Sequence, residues 1–169
     1  MGKPLNRPPA GEHNLTPTLI VRGAFDALAF YEQVFEAEEL PEMRMLAPQG
    51  KKVVHIEFEI RGYIFFLKDE FEVARCFSPQ SPEGEPVVNH IRVEDVNQVV
   101  TRALSAGATI ITPVTEQAAG LKGKIQDPFG HFWIISTAIE SLTPEENAWR
   151  QADFLARFGR LKKSNRNEG

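Results

Sequence analysis

Apolar residues recur along this chain with two periods, and the two periods come in the same order twice. Leu15 to Arg22 is β-branched and apolar and stops at Gly23, as a strand does. Ala27, Leu28, Phe30, Tyr31, Val34 and Phe35 follow at helical spacing and predict a helix with one apolar face. Glu38 to Met45 reads as a second strand. Pro48, Gln49 and Gly50 then turn the chain into Val53 to Ile60, where apolar and polar residues alternate cleanly. Arg61 and Gly62 make a hairpin turn before a fourth strand, Tyr63 to Leu67. From Asp69 to Pro86 the periodicity dissolves among three prolines and several charges, which predicts a long connecting loop.

The order then begins again. Val87 to Val93 is a strand, Val96, Val99, Val100, Ala103 and Leu104 form a helical face that stops at Ala106-Gly107, and Thr109 to Val114 and Gly120 to Ile125 are strands. Asp127-Pro128-Phe129-Gly130-His131 is turn chemistry: Pro fixes φ, the Asp carboxylate can cap nearby amides, and Gly accepts a positive φ. That turn feeds the apolar strand from Phe132 to Ser136. Sliding Leu19-Ile20-Val21 over Ile91-Arg92-Val93, a shift of 72, also aligns the helices and the second strands. The chain therefore reads as α+β, two copies of one βαβββ unit.

Thr143-Pro144-Glu145-Glu146 is a capping box, and Trp149, Ala152, Leu155, Phe158 and Leu161 continue an apolar stripe. The stripe is expected to bury against its own sheet or a second subunit. The expected divisions are an irregular arm at 1–13, a first module at 14–70, a linker loop at 71–86, a second module at 87–140, and a C-terminal helix with a polar tail at 141–169.

At 169 residues the chain is long enough for two small units sharing a core. A net charge of -4 with both signs interspersed argues against a nucleic-acid partner. The apolar stretches are of strand length and broken by charge, so no membrane span is expected. The arm, with Lys3, Arg7 and several prolines, lacks the apolar region of a secretory signal. Cys76 is alone, so a cytoplasmic, reducing setting is expected, and with no paired base it reads as an idle thiol. There is no phosphate-cradling glycine loop, nucleophile elbow or CxxC pair.

Several short motifs, taken in order, carry a resemblance. They are Leu15-Thr16-Pro17, Phe30-Tyr31, Val93-Glu94-Asp95-Val96, Ala106-Gly107-Ala108 and the Asp127 to His131 turn. Over roughly residues 14 to 155 they resemble the vicinal oxygen chelate superfamily, the group of glyoxalase I, the bleomycin resistance proteins and the extradiol dioxygenases. With Asp69-Glu70 after the fourth strand, the chain is most similar to the PhnB-like branch. The resemblance implies two βαβββ modules forming a half-open barrel around a concave site, and a homodimer. In catalytic members it implies a divalent metal held by His, Glu or Gln from the outer strands, acting as a Lewis acid.

Carried over by position, those ligand sites fall at Thr16, Phe66, Val88 and Ile134, none of which offers an imidazole or carboxylate. A slip of one residue gives Pro17, Leu67, Asn89 and Ile135. A slip of two gives Thr18, Lys68, His90 and Ser136, with one good ligand. No cofactor is expected, and a divalent metal only at a nonstandard site built from His55, Glu57 and His90. His55, Glu57 and Glu59 share a strand face that otherwise reads as a solvated outer face.

Strand parity places Thr16, Thr18 and Ile20 on the inward side with Ile64 and Phe66. Val88, His90 and Arg92 join them from one strand of the second module, and Phe132, Ile134 and Ser136 from another. Such a cavity suits a small apolar or aromatic molecule with an anionic or carbonyl group near His90 and Arg92. His90 reads either as a general base or donor, or as a strand histidine bonded to a neighbour; Arg92 as a carboxylate grip, or as a partner of Glu94 or Asp95. The reading that results is a glyoxalase/bleomycin-resistance-like protein, without the usual metal ligands, that binds a small organic ligand. The alternative is a lyase, isomerase or dioxygenase working through a nonstandard metal site or through His90.

Overall fold

The computed structural model describes residues 15–117, 120–138 and 143–164, without the side chains of 147, 154 and 157–164. The arm at 1–13, including His13, and the last residues of the tail lie outside the described residues. The first module comprises β1 (Thr18–Val21), α1 (Ala24–Phe35), β2 (Glu38–Leu46), β3 (Val53–Ile60) and β4 (Tyr63–Asp69). The second comprises β5 (Val88–Arg92), α2 (Val96–Ser105), β6 (Thr109–Gln117), β7 (Gly120–Gln126) and β8 (Phe132–Ala138), and α3 (Pro144–Ser164) follows.

The strands form two four-stranded sheets of matching order, β1-β4-β3-β2 and β5-β8-β7-β6. In each, the first strand lies parallel to the fourth and the remaining pairs are antiparallel. The internal repeat is thus real at the level of topology. β1 begins three residues later than the apolar run because Pro17 has no N–H to give the ladder; its carbonyl still accepts the Phe66 N–H at 2.9 Å.

Both modules start their helix with a side chain from the fourth strand. Asp69 Oδ1 accepts the N–H groups of Gly23 and Ala24, and its Oδ2 accepts that of Val53. In the second module Thr137 Oγ1 accepts the Val96 N–H at 2.8 Å, and Asp95 caps α2 through the amides of Asn97 and Gln98. Asp69 is therefore a buried cap. Its neighbour Glu70 accepts from the Ser78 amide, the Ser78 hydroxyl and the Ser81 hydroxyl. These bonds, the Ser81 hydroxyl first, hold the Glu70 carboxyl down at about 2. The linker predicted as a plain loop is pinned by them, contains a 3-10 turn at Glu72–Ala74, and is bridged at Phe71 and Cys76.

The helix-side faces of both sheets meet in one core. Leu19, Val21, Ile56, Phe58 and Leu67 of the first sheet and Trp133 and Ile135 of the second are buried with the apolar face of α1. Tyr31 stacks on Phe58 at 5.5 Å, and Trp133 lies 4.4 Å from Phe35. With those faces filled by α1 and α2, α3 leaves Trp149 and Leu155 exposed at 69% and 65%. Its capping box forms as predicted, Thr143 and Glu146 exchanging bonds at 2.9 and 3.2 Å. Phe158 and Leu161 lie outside the described side chains.

The Asp127 turn needs its glycine. Gly130 has a φ of 97°, and a Cβ there would sit 2.8 Å from Pro79 Cβ in the linker. Gly130→Ala is expected to cost roughly 1–3 kcal/mol. Thermal denaturation checks this; an unchanged midpoint would contradict the strained geometry.

Candidate functional site

Each sheet turns one face to the helices and leaves the other free, and the predicted site residues all fall on the free faces. Thr18 pairs with Phe66 across β1 and β4, and Thr16 lies just before β1. In the second sheet Val88 pairs with Phe132, His90 with Ile134, and Arg92 with Ser136. His90 Nε2 lies 2.9 Å from Ser136 Oγ. Thr18 and Phe66 therefore lie on the first sheet, with Thr16 in the segment leading into it, and the other six lie on the second.

The structure corrects one face assignment. Glu57 pairs with Phe66 and Glu59 with Ile64, and the His55 ring lies 4.7 Å from that of Phe66. His55, Glu57 and Glu59 thus share the free face with the predicted site. Val54 is exposed, while Val53 is buried. The cause is a register shift between the Met45–His55 and Leu46–Val53 pairs, an irregularity that breaks the alternation there.

Two residues of this face escaped the sequence reading. Lys122 pairs with Ser136, and Lys124 with Ile134. The rows across the second sheet are Arg92–Ser136–Lys122–Thr115 and His90–Ile134–Lys124–Thr112. Lys124 lies 4.4 Å over the Phe132 ring. Partial burial, then the charges of Lys122 and Arg92, push the His90 imidazole below its ordinary 6.5, so it is neutral at pH 7. Asp95 is spent on the α2 cap, and among the described residues Arg92 forms no ion pair with it or with Glu94.

The remaining polar core is structural. Asp127 Oδ1 accepts the amides of Phe129 and His131, while Oδ2 accepts Tyr31 Oη–H and Trp133 Nε1–H, each at 2.9 Å. His131 Nδ1 accepts the Val87 N–H, and Nε2 donates to the Ile20 carbonyl. The turn therefore ties the second module to α1 and β1 of the first. Burial holds His131 below 6.5, against an opposing pull from Asp127 and the Ile20 carbonyl. The unfolded chain takes up a proton below pH 6.5 that this neutral, doubly bonded ring refuses. Stability should be complete above that pH and fall as pH drops from there through the folded pKa, with His90 adding the same sign. Urea unfolding between pH 7.5 and 5 checks this; His131→Asn should flatten the slope, and a flat profile in the parent chain would contradict it.

A polar hollow of about 420 Å³ lies along the linker, lined by Arg22, Glu70, Glu72, Phe77, Ser81, Pro82 and Glu83. It contains none of the predicted site residues, and Glu70 and Ser81 are already engaged in holding the linker. The donor set for a superfamily metal does not fit either. The residues at the positions the resemblance assigns to metal ligands, Thr16, Phe66, Val88 and Ile134, offer no imidazole or carboxylate, and among the described residues no three His, Cys, Asp or Glu side chains cluster as a metal site. His55 and Glu57, 3.1 Å apart, are a pair only.

Two βαβββ modules with free sheet faces and this turn define the glyoxalase/bleomycin-resistance class of fold, without a closed barrel among the described residues. Residues 88–136 match the family described as the glyoxalase At5g48480-like C-terminal domain. The uncharacterized protein Mb0911c of Mycobacterium bovis is 35% identical over 139 residues, spanning 80% of this chain and 90% of the relative. The uncharacterized protein At5g48480 of Arabidopsis thaliana is 32% identical over 126 residues, spanning 71% and 75%.

Among solved structures, the Arabidopsis thaliana At5g48480 gene product superposes with a TM-score of 0.56 at 28% identity, over 74% of this chain and 98% of that one. A glyoxalase/bleomycin resistance protein/dioxygenase family enzyme from Burkholderia phytofirmans shares the fold, with a TM-score of 0.57 at 19% identity over 72% and 95%. The chain belongs to the vicinal oxygen chelate superfamily, in its glyoxalase At5g48480-like family.

Proposed function

We propose that this is a metal-independent small-molecule binding protein of the glyoxalase/bleomycin-resistance type, which holds an apolar or aromatic compound on the free sheet faces. The observation that carries this reading is the composition of the second sheet's free face. Val88, Phe132 and Ile134 supply an apolar floor, Val88 and Ile134 standing where the resemblance would put metal ligands of a catalytic relative, and His90, Arg92 and Ser136 stand beside it. Ligand sites of this kind combine apolar area with a few placed polar groups.

The reading includes a homodimer in a reducing, cytoplasmic setting. Val88, Ile110 and Ile111 are exposed at 54%, 46% and 46%, apolar area that a second copy would cover. A first sheet laid over the second sheet of its partner would enclose the ligand between the two free faces. Light scattering at micromolar concentration is expected to give twice the chain mass; a monomer would contradict the dimer.

One observation favours an enzyme as the second reading: the neutral His90 imidazole already bonded to Ser136. Its reaction would be proton transfer on the bound ligand. A thermal-shift screen of small aromatic compounds tests the first reading, which predicts saturable stabilisation without added metal. The enzyme reading predicts turnover that His90→Ala abolishes.

A further inference from the structure

We propose that the free face of the second sheet is an oxyanion site, which takes the carboxylate or phosphate-type group of an otherwise apolar ligand between Arg92 and Lys122, over Ser136. This rests on the small-molecule reading above and names the class of ligand. Three features of the face carry it.

The first is sign. His90 and Arg92 project from β5 and Lys122 and Lys124 from β7, on either side of β8, and none of these three strands contains an Asp or Glu at any position. Among the described residues, neither Arg92 nor Lys122 has an ion-pair partner. Gathering like charges opposes folding, and a face built only for stability would intersperse carboxylates. The carboxylates of the first sheet's free face are already engaged, Glu57 with His55 and Glu59 with the Gly62 amide.

The second feature is spacing. Ser136 stands directly between Arg92 and Lys122 in one cross-strand row, so their backbones are about 10 Å apart at two strand spacings. Long side chains from both edges can converge over the serine and place a guanidinium fork and an ammonium on opposite sides of one oxyanion. The third is the hydroxyl. When His90 carries its proton on Nε2 and donates to Ser136 Oγ, the serine O–H is released to donate to the same anion. Phe132 and Ile134, in the rows beside it, then receive the apolar part of the ligand.

The test is calorimetric titration of the full chain with benzoate, phenyl phosphate and the neutral benzyl alcohol. At least one of the two anions should bind saturably, about ten-fold or more tighter than the alcohol, and should weaken as salt rises from 0.05 to 0.5 M, on the scale of screening at these ionic strengths. The preferred anion tells whether the group is a carboxylate or a phosphate. Arg92→Gln and Lys122→Gln should each weaken it by about ten-fold or more. Without ligand, both variants should keep or slightly raise the thermal midpoint, whereas residues serving as structural ion pairs would lower it.

Benzyl alcohol binding as tightly as the anions, or anion affinity unchanged in both variants, would overturn the oxyanion site while leaving the small-molecule reading in place. If none of the three compounds binds, both fail.

Discussion

Trp133→Ala is expected to lower the thermal midpoint by about 6–20 °C, at roughly 3–5 kcal/mol for the loss of a buried tryptophan and about 2–4 °C per kcal/mol in a chain of this size. Trp133, in the second module, is fully buried and touches three rings of the first: Tyr31 at 5.5 Å, Phe35 at 4.4 Å and Phe65 at 5.9 Å. Removing it opens a void where α1, β4 and β8 meet, and it also takes one donor from Asp127. Trp133→Phe separates the two effects. It keeps most of the ring contact and loses the indole N–H, so its cost should be nearer 1–2 kcal/mol. Equal losses for the two variants would mean that the hydrogen bond, not the packing, joins the modules.

Asp127→Ala should be nearly as damaging, at roughly 3–5 kcal/mol, because one carboxylate serves four donors and all four would be left buried. Asparagine discriminates among them. Its amide can keep an oxygen toward the Phe129 and His131 N–H groups, and its NH2 can donate to a rotated Tyr31 hydroxyl. The indole of Trp133 only donates and would face that NH2 unpaired. Asp127→Asn should therefore fall between the parent and the alanine variant. Combined with Trp133→Phe, it should cost less than the sum of the two single changes, as expected for residues sharing one bond. Chemical denaturation of the four proteins measures this cycle, and strict additivity would contradict the shared network.

What was legible in the sequence, and what was not, divides along physical lines. Short-range chemistry reads well: the alternation of β3, the α1 and α2 faces, the capping box at Thr143 and Glu146, and the turn at Asp127 are each dictated by residues a few positions apart. The repeat makes the topology legible too, because two copies of one unit carry the same pattern. A period of two names two faces of a strand without saying which one a helix covers. His55, Glu57 and Glu59 were accordingly placed on an outer face, and the irregularity beside Val53 was invisible.

Lys122 and Lys124 went unnoticed for a related reason. In a glycine-rich strand they look like ordinary solubilising charges, and only the pairing with Ser136 and Ile134 puts them beside Arg92 and His90. The roles of Asp69 and Glu70 were hidden by distance, since their partners at Gly23 and Ala24, and at Ser78 and Ser81, belong to other elements. The tail stripe was legible as apolar; which surface receives Trp149 and Leu155 is not written in one chain.

The most direct test of binding without a metal is a ligand-bound crystal structure, with divalent metal content measured on the same sample. The expected result is ligand density on the free face of the second sheet, its charged group over Ser136 and its apolar part against Phe132 and Ile134, in protein with far less than one metal per chain. Density for a metal held by protein side chains, or a ligand seated away from that face, would contradict it.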